Sequence, residues 1–301
     1  MSRVATRVAS RVATVRAQAK LNLWLVVLAR EASGYHSIET LFQRIDLADD
    51  VTVSLADAGE RSVTCSVDVG PPEDNLAFLA ATAFCGALAW DTGFHVQIEK
   101  RIPAGGGLGG GSADAAATLR ALNTLYPEPL SAQALQVLGS GLGADIPFLI
   151  SDWSTALAWG RGGRMVGVPP LPSRAVVLAV PPFAVGTREA YGWLDDLGFK
   201  GAAWPRDFGA GELSDWERVR PMSKNTFTPV VNARVGGGMI NRAIEVLEAA
   251  GAAPALMTGT GSTVFGIFEQ TPDVDALERD TGCRIILTRT AAAVEAVRCS
   301  D

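Results

Sequence analysis

Across residues 12–29 apolar and polar positions alternate, as in a strand with one face buried. Val12, Thr14 and Arg16 lead into Ala19-Lys20-Leu21-Asn22-Leu23-Trp24-Leu25. Strict alternation puts Leu21, Leu23 and Leu25 on one face and Lys20, Asn22 and Trp24 on the other. A Lys and an Asn two apart on one face point either into a cleft or into solvent, and this segment alone leaves both open. Residues 31–36 form a turn that delivers Tyr35 and His36 side by side, suited to stacking on and hydrogen-bonding a base, or simply to loop surface. Residues 51–55 and 61–67 read as strands of a meander. Asp74 or Asn75 caps a helix running to residue 90, with Leu76, Leu79, Ala80, Ala83, Phe84 and Ala87 at helical spacing. A strand at 94–99 and a helix at 113–125 follow, with Ser112 at the N-cap, and then a short helix at 131–138.

In the second half the apolar run 175–179 is a buried strand, and a helix after Thr187 carries Tyr191 and Trp193. A helix at 239–250, a strand ending at residue 268, a helix at 273–281 and a strand at 285–288 complete the pattern. Residues 198–220 are a polar, Trp-bearing excursion with no assigned element. Pro169-Pro170-Leu171-Pro172 divides the chain into domains 1–168 and 169–301, with residues 1–12 a basic tail outside the fold.

Between the strand at 94–99 and the helix after it, six glycines fill seven positions, 105–111. Glycine admits positive φ and lets backbone approach a ligand closely. Bare N–H groups at a helix start then face an anion. The P-loop ends in Gly-Lys-Ser/Thr, and no Lys follows here. The dinucleotide fingerprint wants an acid on a second strand roughly 20 residues on, where this chain has the turn Tyr126-Pro127-Glu128-Pro129. A nucleotide-phosphate cradle of a third kind remains, or a plain glycine turn. Asp145, in Gly143-Ala144-Asp145-Ile146-Pro147, precedes an apolar run; it either caps a short helix or needs a charged partner.

Composition adds exclusions. The 301 residues are 48% hydrophobic and 19% charged, an ordinary globular mixture of a length for two cores. A net charge of −6 argues against nucleic-acid partners, so an anion must be met by local amides and a few Lys or Arg. No apolar run reaches the roughly 18–20 residues that cross a bilayer. Four cysteines without a CxxC and two histidines support neither a zinc site nor a disulfide framework, which fits a reducing cytoplasm. Arg3, Arg7, Arg11 and Arg16 give the start the composition of a transit peptide, or of a frayed basic tail.

In order along the chain stand Ala19-Lys20-Leu21-Asn22-Leu23, Ser33-Gly34-Tyr35-His36, the Pro103-to-Ser112 glycine run, Gly143-Ala144-Asp145-Ile146-Pro147 and Thr258-Gly259-Thr260-Gly261-Ser262. This set resembles the GHMP kinases over nearly the whole chain from about residue 13. The resemblance implies an α+β two-domain fold: a ribosomal-protein-S5-domain-2-like N-terminal domain and a ferredoxin-like C-terminal domain. It implies that ATP phosphates lie on Gly105, Gly106, Gly107, Leu108, Gly109, Gly110, Gly111 and Ser112, after Pro103, with Asn75 on the adenine side. Asp145 would take the acceptor's hydroxyl proton, with Lys20 holding both groups. The Gly-Tyr-His turn resembles members that phosphorylate the 2-hydroxyl of a diphosphocytidyl methylerythritol in non-mevalonate isoprenoid synthesis. On that pattern Asn22, His36 and Thr187 bind substrate, and Tyr35 and Tyr191 sandwich the cytosine. A kinase for homoserine or a mevalonate derivative, or a non-catalytic nucleotide sensor, are the alternatives. Mg2+ is expected to ride on the ATP phosphates. Its protein ligands stay unassigned, because Gly110 and Gly111 stand where many relatives have serines. Gln18 replaces a Pro, and Asn225-Thr226 replaces an Asn-Asp pair. Oligomeric state is left open.

Overall fold

The computed structural model describes residues 12–202 and 209–300. The tail expected at residues 1–12 therefore lies outside them, save for Val12. The long alternating run forms one strand, β1 (Val12–Arg30), paired antiparallel with the slightly longer β2 (His36–Ala56). The mixed stretch after residue 37 and the strand at 51–55 are thus one continuous element. β3 (Arg61–Cys65) does not continue a meander. Helix α1 (Leu76–Ala87) carries the chain over to β4 (Gly93–Glu99), which lies parallel to β3 and antiparallel to β2. Asn75 caps α1 by accepting from the Ala77 N–H at 2.9 Å. The helix stops short of residue 90, where Ala89 turns to a φ of 47°. Then come α2 (Gly110–Leu125), α3 (Ala132–Ser140) capped by Ser131, α4 (Ile146–Ile150), β5 (Thr155–Gly160) and β6 (Arg164–Gly167).

β7 (Ala175–Val180) opens a second sheet. It is followed by α5 (Thr187–Asp196), α6 (Trp216–Val219), α7 (Thr228–Arg234), α8 (Met239–Ala249), β8 (Ala255–Met257), β9 (Val264–Phe268), α9 (Val274–Thr281) and β10 (Arg284–Arg289). The sheet order β10-β7-β9-β8, all antiparallel, is the ferredoxin-like arrangement. Finally β11 (Arg298–Ser300) returns to pair with β1. The first sheet therefore reads β11-β1-β2-β4-β3, with β5 on β2 and β6 on β5.

Each sheet carries its own apolar core. The unassigned excursion belongs in part to the first: Leu213, Trp216, Val219 and Met222 pack there, and the Trp216 indole N–H donates to the Pro172 carbonyl at 2.8 Å. β1 joins the two cores. Leu21 and Leu23 lie in the first, Leu25 and Val27 in the second. Lys20 and Asn22 sit on the strand next to that crossing.

Candidate active site

The register of β1 against β2 slips between Gln18 and Lys20 and again between Asn22 and Trp24. Each slip breaks strict alternation. Trp24 consequently packs in the first core and Leu25 in the second, the reverse of the expected sharing of faces. Lys20 and Asn22 stay together. The Lys20 ammonium donates to Asn22 Oδ1 at 2.7 Å and to the Gly107 carbonyl at 2.9 Å, and lies 3.4 Å from Asp145 Oδ2. Lys20 is 3% exposed, so its charge has left water and needs all these partners. Asn22 is itself oriented: its amide N–H donates to Thr40 Oγ1 at 2.8 Å, and its backbone N–H donates to Thr258 Oγ1 at 3.0 Å.

Asp145 occupies the N-cap position of α4 but accepts no capping bond through its side chain, which leaves the carboxylate to Lys20 and the cleft. The far end of α4 is held by the buried Arg44. Its guanidinium donates to the carbonyls of Phe148 (2.7 Å), Ser151 (2.9 Å) and Trp153 (2.9 Å) and stacks on the Phe148 ring. Burial pulls its pKa down to about 9.

The glycine run closes over this pair. Gly105, Gly107 and Gly109 have φ of 67°, 77° and 74°, values that favour glycine. Gly109, left-handed, ends the loop directly at the start of α2. Gly110 and Gly111 thus join the helix, and Ser112 sits inside its first turn, not at the N-cap. A Cβ on Gly109 would lie 3.1 Å from Lys20 Cε and 3.6 Å from Asp145 Oδ2, so the loop touches the Lys–Asp pair. A Cβ on Gly107 would run into the Thr258 carbonyl, because the second glycine loop packs directly on the first. Both ends of the run are tied by buried charge. The Lys100 ammonium bridges Asp49 and Asp114 at 2.6 Å each, and Asp49 Oδ1 accepts the N–H groups of Arg101 (2.5 Å) and Ile102 (2.8 Å).

All of the expected site residues line one cleft of about 1480 Å³. Leu76 lies against Gly111 of the glycine run, the Val185 N–H two residues before Thr187 donates to the Gly105 carbonyl, and His36 and Tyr191 pack on each other in the same cleft. Asn75 partly serves α1 as its cap, and its amide N–H also reaches the Cys65 sulfur at 3.5 Å. Tyr35 is 61% exposed with the Arg161 guanidinium 4.1 Å above its ring, whereas Tyr191 packs on His36 (4.8 Å between centroids) and Phe227. Burial, reinforced by the Asp145 charge, pushes the Tyr191 phenol up to about 12. The Asn225-Thr226 departure is spent inside the fold. Asn225 donates to the Met257 and Gly259 carbonyls, and the Thr226 hydroxyl accepts the Val27 N–H.

Bare peptide groups at the start of α2, with the Ser112 hydroxyl in its first turn, fit the phosphates of a nucleotide. Among the described residues no group of three or more His, Cys, Asp or Glu is placed to hold a metal. The carboxylates nearest the loop already face lysines. A divalent ion there fits only as a companion of the phosphates. Also among the described residues, no helix is long and apolar enough to cross a membrane.

Sequence reading placed Thr258 in the second glycine loop without giving it a role, and missed Asp49, Lys100, Asp114 and Asp195. A Lys just before the glycines and an Asp just after them was an available signal. Asp49 and Asp195 carried none, because their partners are remote in sequence.

Two family models match the chain: "GHMP kinases N terminal domain" at residues 75–152 and "GHMP kinases C terminal" at residues 210–281. A curated 4-diphosphocytidyl-2-C-methyl-D-erythritol kinase from Desulfitobacterium hafniense is 36% identical over 281 residues, 91% of this chain and 94% of the relative. The crystal structure of a 4-(cytidine 5'-diphospho)-2C-methyl-D-erythritol kinase aligns with TM-score 0.72 at 30% identity, covering 92% of this chain and 99% of the other. A homoserine kinase from Cytophaga hutchinsonii aligns with TM-score 0.70 over the full length of both chains at 15% identity, a likeness of fold alone.

Proposed function

The chain belongs to the GHMP kinases, and we propose that it transfers the γ-phosphate of ATP to the 2-hydroxyl of 4-diphosphocytidyl-2-C-methyl-D-erythritol, in the non-mevalonate route to isoprenoids. The observation that carries this reading is the Lys20–Asp145 pair, 3.4 Å apart, lying against Gly109 of the phosphate-sized loop. Phosphoryl transfer asks for positioning and charge neutralisation more than for covalent chemistry. A tertiary alcohol is a poor nucleophile, and a carboxylate aligned on its proton is the group that activates it.

In this reading Asp145 accepts the hydroxyl proton. Lys20, fixed by Asn22 and the Gly107 carbonyl, holds the carboxylate and the hydroxyl together and faces the charge of the transferred group. Gly105, Gly106, Gly107, Leu108, Gly109, Gly110, Gly111 and Ser112 receive the phosphates. Pro103 and Asn75 border the adenine. A magnesium ion carried on the phosphates would supply charge neutralisation there, with no protein ligand assigned to it. Asn22, His36 and Thr187 contact the acceptor, and Tyr35 and Tyr191 flank its cytosine. The domains divide at 168/169, the substrate is a free small molecule, and the enzyme works in the cytoplasm.

The test is ADP release with the diphosphocytidyl substrate beside homoserine and phosphomevalonate. Turnover is expected with the first alone. Asp145→Asn should lower kcat by about 10²–10⁴-fold while ATP still binds in a calorimetric titration. Equal rates on homoserine, or full activity of Asp145→Asn, refutes the assignment.

A further inference from the structure

The cleft also contains a pairing that phosphoryl transfer does not use. His36 opens β2, while Tyr191 and Asp195 stand four apart on α5 and so project from one helix face. The Tyr191 ring lies 4.8 Å from the imidazole, centroid to centroid, at 32° between planes. Asp195 Oδ1 stands 3.0 Å from His36 Nε2. Arg30 Nε lies 3.5 Å from that same oxygen at the solvent rim. The imidazole itself is 5% exposed. An ionised carboxylate only accepts hydrogen bonds, so the contact makes Nε2 the protonated nitrogen. In the neutral ring the lone pair then sits on Nδ1. No described residue bonds to Nδ1, and the ring lines the cleft.

We propose that Asp195 is a positioning residue for base selection. Its carboxylate fixes His36 in one tautomer while Tyr191 fixes the ring plane. Nδ1 then stands as a set acceptor, which matches the 4-amino group of cytosine and opposes the 4-carbonyl of uracil. Asp195 lines the same cleft, and in this proposal it acts on the base through His36. The assignment rests on the diphosphocytidyl reading above and adds to it the group that decides which pyrimidine is taken. A buried acceptor facing another acceptor is worth about 10- to 100-fold in selection.

The experiment compares the native chain with Asp195→Ala and Asp195→Asn, using the cytidine-linked substrate, its uridine-linked analogue and ATP. Ring 15N shifts report the tautomer of His36, and His95→Gln assigns the signals of the chain's two histidines. The native ring is expected as the Nε2–H tautomer. In Asp195→Ala the cytidyl KM should rise about tenfold, and the cytidine-over-uridine ratio of kcat/KM should fall about tenfold. Saturating kcat and the KM for ATP should stay within about twofold, since the Lys20–Asp145 pair is untouched. The ring signals should report mixed tautomers. Asp195→Asn keeps an accepting oxygen and should retain most of the preference, which also covers an alanine variant that fails to fold. An Nδ1-protonated native ring, or an alanine variant with unchanged preference and tautomer, overturns the proposal. A native chain that ignores the cytidyl substrate yet shows the Nε2–H tautomer refutes the substrate reading and base selection with it, leaving the Asp195–His36 pairing alone standing.

Discussion

A lysine almost wholly removed from water is met here by three oxygens: Asn22 Oδ1, the Gly107 carbonyl and Asp145 Oδ2. Each is held from a different element, so the ammonium has one place to sit. This pre-organisation is what a group facing developing charge requires, because nothing need reorient during transfer. Lys20→Met keeps most of the length and removes the charge. It should lower kcat by about 10²–10³-fold, far more than it alters the KM for ATP, as measured by steady-state kinetics. Near-native kcat in this variant would deny Lys20 its role. Thr258, whose hydroxyl pins the Asn22 backbone, is the corresponding support from the second domain.

At the scale of elements, the glycine run is a flexible sequence held rigid by its ends. Lys100 precedes it, Asp114 follows it, and the Lys100 ammonium ties Asp114 to Asp49 on β2, so the loop is strung between clamped points. Burial pushes the Asp114 carboxyl up to about 7: Lys100 opposes the shift, and the neighbouring Asp49 charge adds to it. On the lysine, burial works to lower the pKa, but the two carboxylates outweigh it and hold the ammonium above its usual range. The sign for stability follows. The folded chain keeps the Asp114 proton to about pH 7, whereas an unfolded Asp releases it near 3.8. This group's contribution is therefore full below about pH 4 and is lost as pH rises toward 7. Urea midpoints from pH 4 to 8 should show the native chain losing stability relative to Asp114→Asn across that window. Parallel curves for the two would remove the clamp's titration. Asp49→Ala strips a fully buried partner and should cost about 3–5 kcal/mol of unfolding free energy by the same denaturation measurement.

For the molecule as a whole, the site exists only where the two glycine loops meet. Gly107 and Gly259 pack backbone to backbone, and the Gly106 carbonyl accepts the Thr263 N–H at 3.2 Å. Gly107→Ala would drive a methyl group into the Thr258 carbonyl at a positive φ. The loops must then part, shifting the carbonyl that Lys20 uses. The variant should fold, since both cores are untouched, yet lose about 100-fold or more in kcat, the scale on which a misplacement of about 1 Å acts. Circular dichroism with steady-state kinetics checks this; unimpaired turnover would mean the contact has no part in catalysis. The same logic makes β1 the spine of the molecule, since it pairs with β2 and β11 and also bonds through Leu25 to the chain at Lys224 and Thr226.

Local physics was legible in the sequence. Alternation marked β1, glycine density marked the loop before α2, and an Asp before Ile-Pro marked the start of α4 without telling whether its carboxylate would cap. These signals come from neighbours a few residues apart, where steric preference and hydrogen-bonding needs act directly. Register slips in β1, the parallel seat of β4, the burial of Leu213, Trp216, Val219 and Met222 and the Asp195–His36 contact depend on partners far along the chain. No periodicity encodes such distances. They arise when two cores close on one strand and every buried charge must find its counterpart among whatever groups that closure brings near.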